Sequence, residues 1–79
     1  MSTSWLPQIG ETAEPLYIGI VDALARDVAS GRLSTDMRLP TQRDLADHLG
    51  IAIGTVTRAY AEAERRGLIR SEGRRGTFV

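Results

Sequence analysis

Apolar positions recur at helical spacing in three stretches, each bounded by residues that start or stop helices. Between Pro15 and Ser30, the residues Tyr17, Ile20, Val21, Leu24 and Val28 trace one stripe, with Asp22, Arg26 and Asp27 off it. Pro15 suits the start of a helix, where no intrahelical donor is needed, and Gly31 suits its end. From Thr41 onward, Leu45, Ala46 and Leu49 share a face. Thr41 can cap that helix with Asp44 as the acidic partner, although Asp is weaker there than Glu. Gly50 supplies the backbone freedom its C-terminus needs. A third helix follows almost at once, with Ile53, Val56, Tyr60 and Ala63 at spacings of three, four and three.

The remainder reads as connectors and short strands. In Leu33–Leu39, Ser34, Thr35 and Asp36 are turn residues, and Met37–Leu39 predicts a very short strand. Pro40 keeps Leu39 extended and prevents the next helix from starting early. Leu68–Ser71 and Thr77–Val79 predict a strand and its return, joined by the Gly- and Arg-rich turn Glu72–Gly76. Residues 1–14 show no sustained period and read as an N-terminal arm, with Trp5 and Leu6 either folding back on the core or meeting a partner. The predicted fold is therefore mainly α with a small β-hairpin. Residues 15–79 form a winged helix-turn-helix of three helices plus a two-to-three-stranded wing. Two short helices joined through a Gly-containing turn are the unit whose second helix enters the DNA major groove, although plain helical hairpins share the spacing.

Composition narrows the function. At 79 residues the chain is one domain with a thin core. Cysteine is absent, so there is no disulfide framework and no thiolate metal site. No apolar run approaches the roughly 20 residues that span a bilayer, and no basic-then-apolar leader opens the chain, so a cytoplasmic protein is expected. The formal net charge of zero argues against nucleic acid. Its distribution argues the other way. Through Pro40 the carboxylates of Glu11, Glu14, Asp22, Asp27 and Asp36 face only Arg26, Arg32 and Arg38. From Thr41, the acids Asp44, Asp47, Glu62, Glu64 and Glu72 face Arg43, Arg58, Arg65, Arg66, Arg70, Arg74 and Arg75. Every basic residue is arginine, whose planar fork suits phosphates and guanine edges, although genome base composition also produces such a bias. Without lysine, no side-chain amine can attach pyridoxal phosphate covalently.

The string RLPTQRDLADHLGIAIGTVTRAYAEAERRGLI, with GRRGTFV closing the hairpin, resembles the N-terminal domain of GntR-family bacterial transcription regulators from about Leu16 to Val79. WLP near the N-terminus, TVTRAYAEAERRGLI and GTFV also resemble the MocR subgroup. There a winged helix is fused to an aminotransferase-like domain that binds pyridoxal phosphate. The resemblance implies that such a C-terminal effector domain, absent from this chain, holds any cofactor and its lysine. Val79, where the return strand stops, is accordingly expected to be a boundary rather than a natural end.

The resemblance also points to DNA contacts. Arg43 matches a DNA-contacting arginine, and a cation in a first helical turn opposes the macrodipole, so it serves something other than helix stability. Thr55 matches a contact at the start of the recognition helix, where a hydroxyl can meet phosphate or base edge and the methyl can meet thymine; simple capping is its rival role. Many relatives carry arginine at the positions of Ile53 and Thr57, and neither arginine is present. Gly54 compensates by allowing close backbone approach, and Thr57 and Arg58 remain candidates on the exposed face. Arg58 can instead pair with Glu62 at i,i+4. Gly73 matches the wing-tip glycine, flanked by Arg74 and Arg75, which suit a backbone or minor-groove contact.

His48 has no second ligand and reads as a surface residue, and no catalytic constellation or metal site is present. The leading function is a sequence-specific DNA-binding domain, acting in a homodimer on an operator of two half-sites. The alternative is a winged helix used for protein–protein contacts.

Overall fold

The computed structural model of the chain describes residues 5–6 and 15–79; the rest of the arm, including Glu11 and Glu14, lies outside the described residues. Helices α1 (Leu16–Ser30), α2 (Gln42–Leu49) and α3 (Ile53–Arg65) precede strands β1 (Arg70–Ser71) and β2 (Thr77–Phe78). The strands pair antiparallel, with Arg70 opposite Phe78 and Ser71 opposite Thr77. A short 3-10 turn, Gly73–Arg75, lies at their tip.

Local chemistry sets the helix limits. Pro15 stands just before α1, and Gly31 ends it at φ 84°. The Thr41 hydroxyl accepts from the Asp44 amide at 3.1 Å, so the expected cap forms. Gly50 closes α2 at φ 67°, a left-handed conformation that glycine adopts without cost. Only Ala52 stands before α3, and no side chain caps that helix.

The core lies where α1 and α2 meet α3. Ile20, Val21 and Leu24 from α1, Leu45 from α2, and Val56, Ala59 and Ala63 from α3 are fully buried, with Leu33 and Leu39 closing the edges. Tyr60 is buried with them and donates its hydroxyl to the Pro40 carbonyl at 2.8 Å, which fastens α3 to the connector. Burial pushes its phenol well above the ordinary range.

Three sequence expectations change. Ile53 is 47 % exposed rather than part of the buried stripe, which runs through Val56, Ala59, Tyr60 and Ala63. The first turn of α3 projects beyond the residues that cover the later turns. Asp27, expected off the stripe, is buried at 3 % exposure because the Trp5 indole donates to its Oδ2 at 2.7 Å. The expected strand at Met37–Leu39 shrinks to a bridge from Arg38 to Phe78. Hydrogen bonds from Val79 to the Met37 carbonyl (2.9 Å) and from Leu39 to the Thr77 carbonyl (2.8 Å) hold that edge, and Pro40, which lacks an N–H, cannot extend it.

The end of α3 carries an ion-pair cluster. Arg65 donates to Glu62 from Nε and Nη2 at 2.9 and 2.6 Å, and Arg66 from Nε at 2.8 Å. These hydrogen bonds, those of Arg65 first, hold the Glu62 carboxyl down at about 2 against an ordinary 4.5. A depressed carboxylate adds stability above the ordinary value that disappears as pH falls toward the depressed one. Denaturant unfolding midpoints should therefore fall between these two pH values, and Glu62→Gln should flatten part of that fall. Exposed pairs contribute little, so the difference is small.

Candidate nucleic-acid interface

Arg43 is the second residue of α2, exposed, and makes no ion pair or hydrogen bond among the described residues. Gly54 is the second residue of α3, and nothing among the described residues lies within 4 Å of where a Cβ would stand. The Thr55 amide bonds the Ala52 carbonyl at 3.1 Å, while its hydroxyl has no partner among the described residues. Capping therefore does not occupy that hydroxyl.

Thr57 and Arg58 are engaged within the fold. The Thr57 hydroxyl lies 3.1 Å from the Ile53 carbonyl and also within donating distance of Gln42 Oε1, and its single proton serves one of them at a time. It ties α3 to the start of α2. The Arg58 guanidinium stacks over the Tyr17 ring, 4.9 Å from the centroid, a cation–π contact joining α3 to α1. The pairing with Glu62 is not made, since Arg65 and Arg66 occupy that carboxylate.

In the wing, Gly73 takes φ 58° and opens the tip. Arg75 pairs with Glu72 at 3.3 Å, and Arg70 reaches Glu72 and Asp36, the latter at 2.8 Å. Bonds to Glu72 and then Asp36 raise the Arg70 pKa still further. Arg74 alone of the tip arginines has no partner among the described residues. The wing thus presents one uncompensated guanidinium rather than two.

The structure adds Arg38, which sequence reading counted with the acidic half. Its guanidinium lies across the wing: a Cβ at Gly76 would stand 3.0 Å from Arg38 Nε. Gly76 holds φ 113°, so it must be glycine on backbone grounds as well. Arg38 makes no ion pair among the described residues. The signal in the sequence was only its place three residues ahead of the capping Thr41.

One cleft gathers these elements. It is lined by Gln42 of α2, Thr57, Tyr60 and Glu64 of α3, and Ser71 and Thr77 of the two wing strands. The start of α2, the outer side of α3 and the base of the wing therefore share one side of the molecule. Arg58, stacked on α1, is turned toward a different neighbour. Among the described residues no cluster of His, Asp or Glu can hold a metal ion, and no helix is long and apolar enough to cross a membrane.

Comparison with known proteins bears on the family and the fold. The sequence model described as "Bacterial regulatory proteins, gntR family" matches residues 16–79. The HTH-type transcriptional regulator Rv1152 of Mycobacterium tuberculosis is 40 % identical over 75 residues, covering 95 % of this chain and 62 % of that protein. The uncharacterised HTH-type transcriptional regulator YdeF of Bacillus subtilis is 36 % identical over 76 residues, covering 96 % of this chain but 16 % of that protein. The solved structure of YtrA from Sulfolobus acidocaldarius, a GntR-family transcription factor, superposes with a TM-score of 0.85 at 32 % identity, covering 95 % of this chain and 80 % of that one. The chain thus spans less than two thirds of either bacterial relative.

Proposed function

The chain belongs to the gntR family of bacterial regulatory proteins as a winged helix-turn-helix DNA-binding domain, and from that premise we propose how it meets its operator. The first turn of α3 enters the major groove, Arg43 grips the duplex beside it, and Arg74 at the wing tip meets the flanking backbone or minor groove. The observation that carries this reading is that, of the arginines from Thr41 onward, Arg43 and Arg74 make no ion pair or ring contact among the described residues and Thr55 beside them keeps a free hydroxyl, while Arg65, Arg66, Arg70 and Arg75 are paired and Arg58 is stacked on Tyr17. An unpaired guanidinium brings its full charge to phosphate, whereas a paired one must first give up a carboxylate.

In the full-length protein two such domains act as a homodimer on two half-sites in the cytoplasm, and the isolated domain binds weakly for want of that second contact. The finer reading is a MocR regulator with an aminotransferase-like effector domain. Its support is the motifs WLP and TVTRAYAEAERRGLI and the much greater length of YdeF. Rv1152, far shorter beyond the shared stretch, favours a different second half. These 79 residues do not themselves fit pyridoxal phosphate, since they contain no lysine. Titrating the full-length protein with that cofactor, followed by visible absorbance, tests the subgroup.

The DNA reading is tested by fluorescence anisotropy over a range of salt concentrations. Affinity should fall steeply as salt rises, and Arg74→Ala should reduce the log–log slope by about one. Arg75→Ala should reduce it less, because Glu72 already compensates that charge. A flat salt response, with binding indifferent to duplex sequence, would favour the protein–protein alternative.

A further inference from the structure

We infer that Ile53 is a specificity-determining residue that recognises the C5-methyl group of a thymine. This rests on the reading of the first turn of α3 as the base-facing turn. A single exposed isoleucine is ordinary on a protein surface; its position gives this one meaning. Ile53 is the first residue of α3 and 47 % exposed, with exposed Ala52 and Gly54 on either side. Gly54 adds no side chain that would hold the helix off the duplex. The Ile53 carbonyl points along α3, with the Thr57 hydroxyl 3.1 Å away, so the aliphatic side chain is what this residue offers outward.

A branched aliphatic side chain cannot donate to or accept from a base edge. The only apolar group in the major groove is the thymine methyl. Against guanine, adenine or cytosine, Ile53 would strip water from donors and acceptors and return no hydrogen bond, which is costly. Against thymine it buries one methyl group and leaves the rest of the base pair hydrated from the side. The residue therefore selects thymine by attraction and rejects the other bases by desolvation.

The test begins with selection from a random duplex library in low salt, using this chain. Each thymine of the enriched motif is then replaced singly by deoxyuridine, which removes the methyl and nothing else. One position should lose about fourfold in affinity, the factor that burying one such group carries. With Ile53→Ala, that position should bind thymine and deoxyuridine alike, and selection should no longer fix it. If no motif is enriched, the base-facing reading of α3 fails. If a motif is enriched but no thymine responds to demethylation, or Ile53→Ala discriminates as the parent does, the assignment to Ile53 is overturned. The deoxyuridine scan on the unaltered chain decides the matter even if the variant folds poorly.

Discussion

Arg43→Ala is expected to weaken duplex binding by about tenfold to a hundredfold, the range for losing one good arginine contact. The same change should leave the fold as stable as before or slightly more so. Arg43 occupies the second position of α2, where the positive end of the helix dipole meets a positive side chain. No carboxylate or carbonyl among the described residues compensates it. Removing the charge relieves an unfavourable interaction that costs roughly 0.3–1 kcal/mol at an exposed helix end. Binding and stability should therefore move in opposite directions, which a general folding defect cannot produce. Anisotropy titrations alongside thermal melts measure both. Undiminished affinity in Arg43→Ala would remove this residue from the interface.

Trp5→Ala should destabilise the domain by about 3–5 kcal/mol, the cost of deleting a large buried aromatic. For a domain whose whole stability is about 5–15 kcal/mol, that removes a large share of it. Two losses combine. The indole, 8 % exposed, covers the edge of the core formed by α1. Its Nε1 also donates at 2.7 Å to Asp27, a carboxylate only 3 % exposed that otherwise has Arg26 Nε at 3.7 Å. Trp5→Phe separates the two losses, since it keeps most of the apolar cover and removes the donor, at about 1–3 kcal/mol for an unsatisfied buried group. Urea titrations followed by circular dichroism measure each variant, because the chain's only tryptophan fluorophore is gone in both. If Trp5→Ala unfolds at the parent's midpoint, the arm takes no part in the fold.

These two residues differ in how far the sequence reveals them. Arg43 stood out because a motif and a helix-dipole argument converge on one position, and the structure leaves it exposed and unpaired among the described residues. Trp5 was legible only as an alternative, since nothing local says which surface an aromatic in an aperiodic arm will cover. Asp27 misled for the same reason. Periodicity assigned it to the solvent side of α1, but the surface there is solvent only until the arm folds over it. Ile53 erred in the opposite direction. Its spacing matches the buried stripe of α3, yet a helix's first residue is covered only if another element reaches past the helix end, and none among the described residues does.

The sequence by itself determined the order and limits of the elements, because caps, glycines, prolines and apolar spacing act within a few residues of one another. Thr41 and Asp44, Gly50 and the Glu72–Gly76 turn needed no distant partner to take their places. Tertiary structure alone decided which of the arginines are available. Pairing with Glu72 or Glu62, stacking on Tyr17 and lying across Gly76 depend on which elements come together. Charge acts through space, over distances that sequence separation does not measure, so identical side chains along the chain become unequal only once it has folded.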